Sequence, residues 1–365
     1  MTRGLFINNK KARDSIYESG LMVFNCLKLS DKYDLDYIEI NIDHRTIPLG
    51  YNFYFFNYHP STMAWMNTSK LKKIPGLIIT MVLEVLPDDP FVMCPDNHFH
   101  GYCVLDPTIK TRNKKIFSFP RPLETVNDIQ PYNEKPIPVI GSFGFATKGK
   151  GFHHVVEAVN KEFDQAVVRI NIPYGDFVPE SKEYANFLAD LCKQKAKHGI
   201  EVIVTHDYME KKDLIDWCAK NTLNCFLYDR NIPGLAATTD QAIVSGRPLA
   251  ISKNDTFRHI LVYLPPYPEM SLKDSITKSI PWIRQMQKDW SPREFSLKFE
   301  EMLSHLAKRF PGKIKATGEF VIPILKKNFS ETIKKRYRKY KRFFSTRKLK
   351  HVFTDRKKTK DEEPI

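Results

Sequence analysis

Between residues 138 and 260 the apolar positions follow two alternating rhythms. Short apolar runs, "PVIGSFGF", "AVVRINIPY", "IEVIVTHDY", "NCFLYD" and "RPLAIS", have strand length and end in small or polar residues. Between them, "KGFHHVVEAVNKEF", "SKEYANFLADLCKQKAKHG" and "EKKDLIDWCAKN" repeat apolar residues three and four apart, as one face of a helix does. Another helix is predicted between "NCFLYD" and "RPLAIS", and "DTFRHI" follows the last run. Strands that alternate with helices in this way predict a parallel, doubly wound sheet with right-handed crossovers. Ligands of such sheets sit beyond the carboxyl ends of the strands. That rule gathers the loops after Gly141, Thr205, Asp229 and Ser252 around one crevice.

The first 120 residues are α/β in character but less regular. "GLFINN" predicts a strand, and Ile16, Leu21, Phe24 and Leu27 mark a helix from Ser15 to about Leu29. Strands are predicted in "DYIEI", "YNFYFFNYHP", "GLIITMVLEV" and "FVMCP", with a helix over "STMAWMNTSKLKK" capped by Ser61. The pattern divides the chain into a first α/β domain (1–120), a proline-rich linker (121–137) and the regular domain (138–275). Closing helices (276–325), interrupted near Ser291–Pro292, and a basic tail (326–365) follow.

A chain of 365 residues has room for about two ordinary domains. Its 42% apolar content is that of a globular protein. The longest apolar stretch, "IPGLIITMVLEVL", is too short to span a bilayer and carries Glu84. The opening "MTRGLFINNKKARDS" has no apolar signal core, so a cytoplasmic location is expected. The six cysteines include no C-x-x-C pair. Cys94 and Cys103 lie near His98 and His100, but their spacing fits no usual zinc pattern, and reduced thiols are the plainer reading.

Charge is uneven. Residues 326–365 hold 16 Lys/Arg against 5 Asp/Glu, a net +11, which leaves +4 of the total +15 for the rest. Phe329, Ile333, Tyr337, Tyr340 and Phe344 fall on one helical stripe of this tail, with Lys and Arg over much of the remainder. That pattern suits an anionic membrane surface, which would make the protein peripheral on the inner face of the membrane. A helix packed on the body and a single-stranded nucleic-acid site are the alternatives; no nucleic acid is expected.

Two stretches carry candidate chemistry. In "GSFGFATKGKGF" a strand ends in Gly141, Ser142, Phe143 and Gly144, and Lys148 and Lys150 precede a helix that starts near Gly151. Glycines let the backbone approach closely, and lysines beside a helix N-terminus suit a diphosphate. A flexible turn with solvated lysines is the bland alternative. In "DRNIPGLAATTDQAIVSGRPLAIS", Gly234, Ala236, Ala237, Thr238 and Thr239 form a small-residue loop and Asp240 sits in the first helical turn; Leu235 and Gln241 are further candidates there. Asp240 either favours the helix dipole or accepts ribose hydroxyls. Arg230, Arg247 and Arg258 are candidate phosphate partners. In the first domain His59, after a strand, and Glu84 are the acid/base candidates, Asp96 and His98 are further ionisable ones, and Asp106-Pro107-Thr108 reads as a turn.

These motifs, over about residues 136–262, resemble the nucleotide-sugar domain of GT-B-type glycosyltransferases of the group-one, retaining kind. The resemblance implies two Rossmann-like domains facing each other across a cleft, acceptor on the first and donor on the second. It implies transfer of a sugar from a nucleoside diphosphate sugar to a glycan or lipid-linked acceptor. It requires no metal ion and no cofactor beyond the donor. Lys150-Gly151-Phe152 is similar to the lysine-glycine start of the helix that approaches the diphosphate, Asp240 to the acidic residue that holds the ribose, and His206 to the position near the base. The chain departs from the pattern at Pro233 and Gln241, where many members carry glutamates, and at Ser142, where an arginine is usual; Arg230 is the substitute for that charge. A non-catalytic relative that binds glycan or nucleotide is therefore the rival expectation.

Overall fold

The structure is a computed structural model describing residues 2–10, 15–126, 135–175, 181–230, 232–311 and 317–325. The predicted basic tail and residues 127–134 of the linker lie outside the described residues.

The chain builds two parallel sheets. The first contains β1 (Thr2–Asn9), β2 (Tyr33–Ile40), β4 (Phe53–Phe56), β5 (Leu77–Val82), β6 (Gly101–Val104) and β7 (Ile116–Ser118), in the order β2-β1-β4-β5-β6-β7. A separate short β3 (Thr46–Pro48) lies between β2 and β4 in sequence. The second sheet contains β8 (Val139–Phe143), β9 (Ala166–Asn171), β10 (Ile200–Thr205), β11 (Leu223–Phe226) and β12 (Leu249–Ile251), in the order β10-β9-β8-β11-β12. All five strands predicted for this sheet form, and their pairings are parallel. The strand order reverses at β8, the switch point where such sheets open a crevice. β13 (Glu319–Val321) pairs antiparallel with β3.

The helices are α1 (Ser15–Leu27), α2 (Pro90–Met93), α3 (Phe152–Glu162), α4 (Ser181–Lys195), α5 (Lys211–Ala219), α6 (Thr238–Val244), α7 (Arg258–Leu261), α8 (Leu272–Lys278), α9 (Ile280–Asp289) and α10 (Pro292–Arg309). In the second lobe α3 to α6 occupy successive crossovers. Phe152, Val155, Leu188 and Cys192 cover one face of the sheet, and Ile215, Ile243, Ile283 and Trp290 the other. α10 returns to the first lobe. Its start is fixed by Ser291, whose hydroxyl accepts from the Glu294 amide, and by Pro292 in the first turn. Phe295, Phe299, Met302 and Leu306 then pack on Phe6, Phe53 and Phe55 of the first sheet.

Two expectations for the first lobe are corrected. "FVMCP" is not a strand: Asp89 accepts from the Phe91 amide and Pro90 opens the one-turn helix α2. The helix expected from Ser61 is a series of turns ending in a 3-10 helix over Thr68–Lys73. Ser61 caps nothing there, because its amide and hydroxyl both bond the His59 ring, at 3.2 and 2.6 Å. Nor do the cysteines and histidines near residue 100 converge. Cys103 is buried in the core, His100 accepts from the Ile78 amide, and His98 bonds Thr68. Among the described residues no helix is long and apolar enough to cross a membrane.

Candidate functional site

In the second lobe the strand ends converge on one tyrosine. Gly151 precedes α3 at φ +64, and a Cβ there would lie 1.8 Å from the Leu227 carbonyl oxygen, so only glycine lets this turn close on the end of β11. The closure buries Lys150, whose Nζ donates to Tyr228 Oη at 2.8 Å and stands 4.5 Å from the centre of that ring. The Arg230 guanidinium approaches the same ring at 4.9 Å, and its Nε is buried with no hydrogen-bond partner. Tyr228 Oη continues to Thr238 Oγ1 at 2.8 Å, which joins the start of α6 to the cluster. Gly144 completes it: a Cβ there would sit 3.1 Å from Lys150 Nζ and 3.5 Å from the Thr238 methyl.

Two cations thus approach one tyrosine, and among the described residues neither forms a salt bridge to a carboxylate. Lys150 is 8% exposed; burial, and then the charge of Arg230, hold its ammonium well below the ordinary lysine range. Burial lowers Arg230 as well. Desolvated positive charge without a counterion is costly, and a bound anion would relieve it.

The other predicted donor residues divide into those near this cluster and those turned elsewhere. Lys148 is exposed on the loop, and Ser142 is buried with a hydroxyl that has no partner. Gly141 makes room for Asn221, whose amide would lie 1.9 Å from a Cβ, and Phe143 packs against Trp217 and Phe226. His206, beyond β10, bonds the Ile172 carbonyl through Nδ1 and stacks on Tyr174 at 4.6 Å, giving a flat partly exposed surface. Leu235 and Ala236 are buried, the latter donating to the Thr256 carbonyl, while Gln241 is half-buried.

Asp240 is turned inward. At 4% exposure its Oδ2 accepts from Arg121 Nε at 2.7 Å, so the carboxylate expected at the ribose is held against the linker instead. Burial raises its pKa, with Arg121 acting the other way. Two of the three candidate arginines leave the phosphate role. Arg247 donates to the Ala219 carbonyl at the end of α5, and Arg258 is bound by four oxygens, including Asp106 Oδ2 at 2.7 Å.

The first lobe contributes from the ends of β4 and β5. Asn57 donates to Asn8 Oδ1 at 2.7 Å and to the Ile16 carbonyl, which anchors the end of β4 to β1 and α1. His59 follows. Its Nε2 stands 3.7 Å from Glu84 Oε2, and its Nδ1 is 2.6 Å from Ser61 Oγ. Bonding to His59 holds the Glu84 carboxyl below its usual range, against the effect of burial. A Cβ on Gly234 of the second lobe would lie 3.6 Å from Glu84 Cγ and Oε1. The two acid/base candidates therefore meet each other, and Glu84 faces the small-residue loop of the second lobe. Sequence reading missed Tyr228, Tyr174 and Arg121; the only signal for the first two was an aromatic residue near the end of a predicted strand.

No family model and no curated protein sequence matches the chain. Solved structures match its fold. Anabaena Alr3699/HepE, in complex with UDP and glucose, aligns with a TM-score of 0.56 at 12% identity over 83% of this chain and 100% of its own. Trehalose-6-phosphate synthase OtsA gives 0.59 at 10% identity over 86% and 100%. A glycosyltransferase from Rickettsia africae gives 0.50 at 10% identity over 85% and 94%. The chain has the GT-B fold of these glycosyltransferases: two facing lobes with parallel sheets.

Proposed function

We propose that this protein is a glycosyltransferase that takes a sugar from a nucleoside diphosphate sugar and delivers it to a glycan or lipid-linked acceptor. The observation that carries the reading is the pair of cations on Tyr228, the buried Lys150 and the half-buried Arg230, with no carboxylate bridged to either among the described residues. The likeness to HepE, which has been solved with UDP-glucose, supports a uridine diphosphate donor.

In this reading Lys150 and Arg230 take the diphosphate, and their charge stabilises it as the glycosidic bond to the sugar breaks. Cationic side chains do this neutralising without a metal ion. The Tyr174–His206 stack takes the base. Glu84, kept ionised by His59, faces the sugar from the first lobe and serves as base or as a stabilising charge for the developing cation. The basic tail holds the protein to an anionic membrane surface where a lipid-linked acceptor resides.

Pro233 and Gln241, together with the inward turn of Asp240, favour a second reading, a nucleotide- or glycan-binding scaffold without catalysis. Thermal unfolding against UDP, GDP, dTDP, ADP and CMP tests the site. Saturation at a hundredfold over Kd stabilises by about 2.7 kcal/mol, which shifts the midpoint by roughly 5 to 10 °C. A shift with one nucleotide that Lys150→Ala removes supports the donor site; no shift with any refutes it. UDP release from UDP-glucose then separates enzyme from scaffold.

A further inference from the structure

Arg258, expected on sequence at a phosphate, is committed elsewhere, and its partners belong to both lobes. Its Nε donates to Asp106 Oδ2 at 2.7 Å and Nη1 to the Asp255 carbonyl at 2.7 Å. Its Nη2 donates both to the Val85 carbonyl at 3.0 Å and to the Pro233 carbonyl at 2.8 Å. Four of about five guanidinium N–H groups are thereby used, which leaves little for a ligand. Asp106 is fixed in turn: its other oxygen accepts from the amide and hydroxyl of Thr108, at 2.9 and 2.7 Å. The two side chains are 10% and 3% exposed, so the pair is buried between the lobes.

The neighbours of these carbonyls decide what the contact does. Val85 follows Glu84, and Pro233 precedes Gly234, the position whose Cβ would lie 3.6 Å from Glu84. One nitrogen therefore ties the backbone of the acid/base loop to the backbone of the donor loop. We infer that Arg258 is a positioning residue, which sets the register of the His59–Glu84 pair over the donor loop; the inference rests on the glycosyltransferase reading. A planar guanidinium holds several acceptors in fixed directions, which an ammonium on a flexible stem does not. Misplacement of a reacting group by about 1 Å costs about 100-fold in rate.

The test compares wild type, Arg258→Lys and the paired R258M/D106L, which removes both buried charges together. UDP affinity, and kcat and KM for UDP release from UDP-glucose, are measured on each. The expected result is kcat lower by about 100-fold in both variants with UDP affinity within about threefold. Addition of guanidinium ion to Arg258→Ala is expected to restore part of kcat without changing UDP affinity. Loss of UDP affinity in parallel with kcat would make Arg258 a ligand of the donor, and unchanged kcat would make the contact idle; either overturns the proposal. If wild type binds none of UDP, GDP, dTDP, ADP and CMP and releases no UDP from UDP-glucose, the glycosyltransferase reading fails instead. Hydrogen exchange then judges the tie alone: backbone amides of residues 84–87 and 232–236 must lose protection together in R258M/D106L, and unchanged protection overturns it.

Discussion

The two lobes have the same parallel-sheet architecture but stabilise it differently. In the second, α3, α4, α5 and α6 lie in the crossovers between consecutive strands, so each strand is covered by residues close to it in sequence. In the first, β4 reaches β5 through turns and a 3-10 helix, and β5 reaches β6 with only the single turn of α2. The missing cover comes from α10, more than 170 residues beyond the last strand of that sheet. The lobe with local cover carries the cluster of Lys150, Arg230 and Tyr228. The lobe with borrowed cover carries His59 and Glu84, and Asn57 hydrogen bonds fix the strand end that precedes His59.

The largest effect that can break this contrast is in α10. Phe299 is fully buried against Phe53, Phe55 and Tyr33. Phe299→Ala is expected to cost about 3 to 5 kcal/mol. Hydrogen exchange should show protection lost in β1 and β4 before β8 to β11; equal loss in both sheets would abolish the distinction. Next comes Lys150→Ala, expected to lower kcat/KM for UDP-glucose by about 1,000-fold, roughly 4 kcal/mol. A change below tenfold would remove Lys150 from the diphosphate site.

Glu84→Gln sharpens the division of labour. It is expected to lower kcat by about 100-fold while UDP binding, which the proposal assigns to the other lobe, stays within about twofold. A parallel fall in UDP affinity would show that the two lobes do not act separately. The smallest effect is on pH. Burial keeps the free Lys150 ammonium below its ordinary pKa, and a diphosphate beside it raises that value. Binding therefore takes up a proton between the two values. In that window UDP affinity falls as pH rises, by at most about tenfold per unit, and below it Lys150 adds no slope. Calorimetry in buffers of different ionisation enthalpy reads the uptake, which Lys150→Met should remove.

The sequence by itself determined the second lobe and the place of its crevice. Strand and helix periods alternate there within single crossovers, so the hydrophobic pattern of each segment already contains its packing partner's position. The placement of Lys150, Gly151, Arg230 and His206 at the strand ends was legible for the same reason, since each sits at or near the junction of two predicted elements. Tertiary structure decided the rest. No local period marks α10 as the cover of β1 and β4, because that burial is shared between segments far apart in the chain. The roles of Arg230 and Arg258 could not be told apart in sequence either. Both are arginines a few residues beyond predicted strands at one crevice, but one lies on Tyr228 with no carboxylate bridged to it among the described residues and the other is saturated by Asp106 and three carbonyls. Asp240 points at Arg121 rather than the cleft because a carboxylate in the first turn of α6 takes the nearest buried cation, and the linker supplies it.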